Sequence, residues 1–109
     1  MRIKDENKRT AITQAIMSLI NEIGFANISM SKIAKATGIS ASTLYVYYAS
    51  KEDMLRKIYL ETKRRMIEEC NRDLEPGEAL EQSVGKICKN LLRYMQEYTD
   101  EFLFIEQAC

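Results

Sequence analysis

SMSKIAKATGISASTLYVYYASK, residues 29–51, decides the fold: it reads as two short helices joined by a tight turn. Ile33 and Ala34 give the first helix an apolar face, and Gly38 closes it. A glycine has no Cβ and accepts the left-handed conformation that ends many helices. Ile39 then turns inward, and Ser40 is a good N-cap for a helix over Ala41–Tyr47. Leu44 and Tyr48, four residues apart, share one face of that second helix. The opposite face shows Ala41, Ser42, Thr43, Tyr45 and Tyr47. Small residues and hydroxyls at a helix start can come close to bases and phosphates. A buried structural helix rarely keeps a face so small and polar, so this helix reads as one built to enter a DNA groove.

Ile33-Ala34-Lys35-Ala36-Thr37-Gly38-Ile39-Ser40, followed by Thr43-Leu44-Tyr45, Tyr47-Tyr48 and Ser50-Lys51-Glu52, resembles the helix-turn-helix of the tetracycline-repressor (TetR) family. The match covers about the first 60 residues and is specific for a short pattern. The remaining residues are compatible with the family. The resemblance implies that the first helix of the motif lies across the DNA backbone and the second in the major groove. It places Ser31, Ala41, Ser42, Tyr45 and Val46 nearest base edges, and makes Ser29, Thr43, Tyr47 and Lys51 phosphate contacts. The chemistry agrees. Ala41 is small enough to meet a thymine methyl, and Ser42 can donate or accept at several bases. No Arg, Asn or Gln stands in the recognition helix, so readout leans on apolar contact and DNA shape, with affinity from phosphates. Tyr45 is expected to pack its ring and turn its hydroxyl outward, and Tyr48 to be core.

Upstream, a helix from about Glu6 to Ile23 carries Ile12, Ile16, Leu19, Ile20 and Ile23 at spacings of three and four. Gly24 ends it, Phe25 tucks back, and Ser29 caps the next helix. Residues 1–7 are polar and expected to fray. The basic start Arg2, Lys4, Lys8 and Arg9 is either a solvated tail or, as in the family, a further touch on DNA.

Downstream, Ser50 and Asp53 outline a capping box with Asp in place of Glu. Lys51 falls in the first turn, where a cation opposes the helix dipole unless a phosphate sits there. The helix continues to about Asp73, some 35 Å at about 1.5 Å per residue. Met54, Leu55, Ile58, Tyr59 and Thr62 are placed to dock on the head, and Met66, Ile67 and Cys70 on a body beyond it. Lys63-Arg64-Arg65 between them reads as a solvated face. Leu74-Glu75-Pro76-Gly77 marks a connection. A helix over about Glu78–Tyr98 follows, with the stripe Leu80, Val84, Ile87, Cys88, Leu91 and Met95. Thr99-Asp100 caps a last helix beginning Glu101-Phe102-Leu103-Phe104-Ile105. Met95, Tyr98, Phe102 and Phe104 either line an effector cavity or are plain core.

The expected fold is therefore all-α: a three-helix head, a long linking helix, and an incomplete helical regulatory bundle. We place the DNA-binding domain at residues 1–50 and a truncated regulatory and dimerisation domain at 51–109. The helical pattern is still running at Cys109, with no terminating Gly, Pro or basic last turn. The resemblance implies later helices that complete the pocket and the dimer interface, which this sequence lacks, as either a truncated or a naturally short form would.

With 109 residues, 46% of them hydrophobic and 29% charged, the chain has an ordinary globular composition. The net charge is zero, but its distribution is not even. Residues 1–65 hold 12 Lys or Arg against 6 Asp or Glu, and residues 66–109 hold 4 against 10. The first part is thus +6 and the second −6, which suits a DNA-binding head on an acidic body. There is no His, which excludes His-containing zinc sites and His-based triads. Cys70, Cys88 and Cys109 are widely spaced and read as reduced cytoplasmic thiols, with Cys88 in the core. Glu68 and Glu69 point to different sides of one helix, and Glu97, Asp100 and Glu101 are expected to be solvated. No cofactor, metal or catalytic residue is expected, and no membrane span. The expected partners are double-stranded DNA at a palindromic operator, a second copy of the chain, and a small-molecule effector. The expected function is that of a transcriptional regulator, as a repressor released by its effector. The competing class is a helical interaction module that keeps the fold without binding DNA.

Overall fold

The computed structural model describes the backbone of residues 2–108 and side chains from Arg9 to Ala108. Its described residues form six α-helices and one 3-10 turn, with no strand. The helices are α1 (Arg2–Ile23), α2 (Met30–Thr37), α3 (Ala41–Tyr47), α4 (Lys51–Cys70), α5 (Leu80–Glu97) and α6 (Thr99–Ala108), with the 3-10 turn at Phe25–Asn27. Helix α1 begins four residues earlier than the expected Glu6. Nothing in residues 2–6 breaks a helix, because neither Gly nor Pro occurs there. The side chains of Arg2, Lys4 and Lys8 lie outside the described residues.

One core holds the head together. Ile12, Ile16, Met17 and Ile20 from α1 meet Ile28, Met30, Ile33, Leu44 and Tyr48, and α4 closes the group with Met54 and Ile58. Leu19 and Ile23 pack at its margin. The core continues into α5 and α6 through Tyr94, Phe104 and Ile105. Phe25 bridges the two parts, with its ring 5.5 Å from that of Phe104. Asn21 of α1 donates to the Asp100 carbonyl at 2.9 Å and accepts from Gln107 at 2.8 Å, tying α1 to α6.

Helices α4 and α5 fold back on each other across the Pro76-Gly77 turn. Asn90, buried in α5, donates to the carbonyls of Cys70 and Arg72 at 3.0 and 2.8 Å. The Cys70 carbonyl ends α4, where the last C=O groups of a helix lack intrahelical donors, and that of Arg72 lies in the turn just beyond. Lys86 locks the turn through Glu78 at 2.8 Å and the Asp73 carbonyl at 2.9 Å.

Three expectations about this half need correction. The α5 stripe is not core along its first three turns: Leu80 is 78% exposed and Val84 50%, and Ile87 and Cys88 are exposed as well. An apolar stripe needs a neighbour before it is buried, and the start of α5 has no described element over it. Ile67 of α4 is exposed for the same reason. The extension shows in the radius of gyration, 16.3 Å, against about 13 Å for a compact chain of this length. Finally, Glu101 is not solvated. It is 3% exposed and accepts from the Tyr94 hydroxyl at 3.1 Å, with the Arg65 guanidinium at 3.4 Å. Arg65 makes that contact with its side chain still 46% exposed, so it stays on the solvated face expected for the basic run at residues 63–65.

Candidate nucleic-acid interface

Two serine caps and one glycine build the motif. Ser29 Oγ accepts the Lys32 N–H at 3.1 Å and starts α2. Gly38, at φ 74°, ends it, and its N–H reaches the Ala34 carbonyl at 3.0 Å. A Cβ on Gly38 would meet nothing within 4 Å, so the left-handed backbone is what favours glycine there, not lack of room. Ser40 Oγ accepts the Thr43 N–H at 3.2 Å and starts α3. It also bonds the hydroxyls of Thr43 at 2.8 Å and Ser42 at 3.1 Å. The first turn of α3 therefore carries a hydroxyl cluster at its mouth.

The inner side of α3 is pinned by Leu44 and Tyr48, both fully buried. The Tyr48 hydroxyl lies 3.5 Å from that of Thr13, which connects α3 to α1 in the core. The outer side is open. Ser31, Ala41, Ser42, Tyr45 and Val46 are exposed, with Val46 at 80%. Ser29, Thr43, Tyr47 and Lys51 are half-buried along its edges. Tyr45 departs from expectation: the residue is 53% exposed. Leu44 occupies the inward position, and a neighbouring residue lies about 100° round a helix of 3.6 residues per turn.

Helix α4 opens beside this face. Ser50 Oγ accepts the Asp53 N–H at 3.1 Å, and the Asp53 carboxylate accepts the Ala49 N–H at 2.9 Å. The box thus closes on the residue before the cap. That backbone bond, with Lys57 3.0 Å away, holds the Asp53 carboxyl below its ordinary value. Lys57 also donates to the Tyr47 carbonyl at 3.4 Å, bracing the end of α3. Among the described residues, Lys32, Lys35 and Lys51 have no carboxylate partner. Lys32 Nζ instead donates to the Asn27 carbonyl at 2.8 Å. This face therefore offers uncompensated positive charge beside small apolar and hydroxyl groups.

Of the four residues weighed as an effector cavity, Phe104 belongs to the core and Tyr98 and Phe102 pack against it. Phe104 is fully buried against Phe25. Tyr98 stacks on Tyr94 at 5.4 Å, with Arg65 5.7 Å above its ring, and lines a polar cleft of about 230 Å³. Met95 and Phe102 are half-buried. Among the described residues no group of His, Cys, Asp and Glu is arranged to hold a metal ion, and no helix is long and apolar enough to cross a membrane. The cluster of buried Tyr94 and Glu101 with half-exposed Arg65 was missed from sequence. Burial pushes the Glu101 carboxyl up, against Arg65 and Tyr94, which pull it down. Burial and the facing Glu101 charge raise Tyr94 strongly.

Residues 12–58 match the family model described as bacterial regulatory proteins, tetR family. The chain is 34% identical over 68 residues to the fatty acid metabolism regulator protein of Bacillus subtilis (strain 168), covering 62% of this chain and 35% of that protein. It is 32% identical over 75 residues to the HTH-type transcriptional regulator UidR of Escherichia coli (strain K12), covering 69% and 38%. The chain therefore spans little more than a third of these relatives. Among solved structures, a TetR family transcription regulator from Marinobacter aquaeolei VT8 superposes with a TM-score of 0.86 at 31% identity, over 98% of this chain and 56% of that one.

Proposed function

We propose that this chain is a member of the TetR family of bacterial regulatory proteins, and that it binds double-stranded DNA and regulates transcription, as a repressor released by an effector. Residues 1–50 are the DNA-binding domain, and residues 51–109 are the linking helix with part of the regulatory domain. One observation carries the reading: the outer face of α3 is open while its inner face is locked into the core. A helix held this way can enter a major groove without rearrangement.

Within that groove, Ala41 and Val46 offer methyl groups to thymine, and Ser42 and Tyr45 offer hydroxyls to base edges. Ser31 reaches the same groove from α2. Ser29, Thr43, Tyr47 and Lys51 hold the phosphates on either side. The start of α4 adds backbone N–H groups beside Lys51, so a phosphate there meets a cation and a helix dipole together. The cytoplasm is where such a protein meets its DNA, and the reading includes no catalytic step.

Two copies place two recognition helices on a palindromic operator, about 34–36 Å apart or a multiple of that. The uncovered α5 stripe favours a second reading, in which the chain is a helical protein-interaction module that leaves DNA alone. Selection of bound duplexes from a random pool, followed by anisotropy titration of the winners, separates the two. The regulator reading expects enrichment of an inverted repeat. Failure to enrich any sequence, with only weak salt-sensitive binding left, would favour the module.

A further inference from the structure

Helix α5 carries an apolar face that nothing among the described residues covers. Leu80, Val84, Ile87 and Leu91 follow one another at spacings of four, three and four, the repeat by which two helices keep one seam in contact. The first three are exposed, and Leu91 is half-buried. Exposed Leu92 widens the face. The cause lies in where α5 meets α4. Asn90 reaches the carbonyls of Cys70 and Arg72, so the end of α4 stands level with Asn90 and the earlier turns of α5 run past it.

The residues flanking the seam are Ser83, Cys88, Asn90 and Met95, none of them charged. An identical face can therefore meet this one without bringing like charges together, and a charged partner finds nothing there to pair with. The exposed apolar side chains offer on the order of 400 Å² on each copy, the size at which a patch on a single chain marks a contact surface. With their flanks, two such faces bury on the order of 1,000 Å², which suits a reversible pair.

The direction of the pairing follows from the fold. Helix α4 starts in the head, where Met54 and Ile58 are core, and α5 returns with Tyr94 in the same core as Phe104 and Ile105. The start of α5 is thus its end away from the head. A two-fold axis along α5 keeps both heads at one end, whereas an antiparallel pair would send them to opposite ends.

We propose that a second copy of this chain covers the α5 face, in a parallel pair in which Leu80, Val84, Ile87 and Leu91 each meet their own counterparts. The inference deepens the two-copy part of the proposed function and rests on that reading for the direction of the pairing. The pair needs no helix beyond those described.

Sedimentation equilibrium of the whole chain without DNA tests it, up to about 100 μM, well above the micromolar dissociation constant that suits an interface of this size. A reversible monomer–dimer equilibrium is expected. Val84→Glu, at an exposed position, should weaken it at least tenfold with circular dichroism unchanged. Leu80→Cys, in a chain with Cys70, Cys88 and Cys109 changed to Ser, should form a disulfide-linked dimer with oxidised glutathione as the oxidant, because position 80 meets itself only in the parallel pair. A monomer at the highest concentration would overturn the proposal and leave the face to a different protein. So would a dimer that Val84→Glu does not weaken, or a Leu80→Cys chain that stays unlinked while its circular dichroism matches the parent. None of these readings involves DNA. A dimer that selects no duplex would therefore remove the regulator reading and keep the pairing, and a monomer that selects a half-site would do the reverse.

Discussion

Removing the buried charge at Glu101 should cost far less than removing its side chain. The structure gives the reasons term by term. Glu101 is 3% exposed, and its Arg65 partner is about half exposed, with its side chain at 46%. An Arg that keeps its water loses little when its partner is neutralised, on the scale of about 0–1 kcal/mol found for exposed pairs. Glu101→Gln keeps a carbonyl oxygen for the Tyr94 hydroxyl and removes the cost of holding a charge inside. The two changes oppose each other, so the net effect at pH 7 should lie within about 1 kcal/mol of zero. Glu101→Ala keeps neither acceptor nor volume. It strands the Tyr94 hydroxyl, itself fully buried, at about 1–3 kcal/mol, and leaves a hole beside it.

Urea unfolding followed by helical circular dichroism measures both variants. The pH dependence sharpens the test. Burial raises the folded-state pKa of Glu101 above its ordinary 4.5. The folded state then holds its proton more tightly than the unfolded state. The stability linked to this proton is fully present below the ordinary value and is lost as pH rises through the folded value. Glu101→Gln should remove that fall and leave the rest of the profile in place. A Glu101→Gln loss as large as that of Glu101→Ala would refute the reasoning, because the ion pair itself would then be stabilising the fold.

Three other perturbations check separate parts of the account. Lys51→Ala should weaken binding to every duplex alike and reduce the salt slope of log K by about one, measured by anisotropy between low and moderate salt; an unchanged slope rejects its phosphate role. Phe104→Ala should destabilise the fold by about 3–5 kcal/mol in urea unfolding, since the ring is fully buried against Phe25; a change of a few tenths would mean that the ring is not core. Leu80→Gln should shift the stability of the single chain by no more than about 0.5 kcal/mol, measured at concentrations too low for copies to pair, because the residue is 78% exposed; a loss above about 2 kcal/mol would show that an element of the same chain covers the start of α5.

The head was legible because its signals are local. Ser29, Ser40 and Ser50 each cap a helix that begins one residue later, and a cap bond spans only three residues. Gly38 announced its own backbone conformation. Leu44 and Tyr48 were readable as inward because four-residue spacing sets the face of a helix whatever it packs on. Helix α5 was legible as a helix and not as a surface. Periodicity shows that Leu80, Val84 and Ile87 share a face, but burial depends on a neighbour that spacing does not specify. Glu101 was illegible for a related reason. A glutamate near a helix start is usually solvated, and only the arrival of Tyr94 and Arg65 from two other helices makes a site for it. Tyr45 was misjudged in the opposite direction, because the core side of a seven-residue helix has room for Leu44, with Tyr48 at its C-cap, and little more.

The central claim is that the outer face of α3 meets base edges. The measurement that tests it most directly is the affinity of Ala41→Glu for a duplex selected by the parent chain. Position 41 is exposed at the first residue of α3, so a carboxylate there suits the helix start and leaves the core untouched. In the groove it would face phosphates and base acceptors with the wrong sign. The account predicts at least a hundredfold loss of binding with no change in melting temperature. Undiminished binding by the folded variant would contradict it.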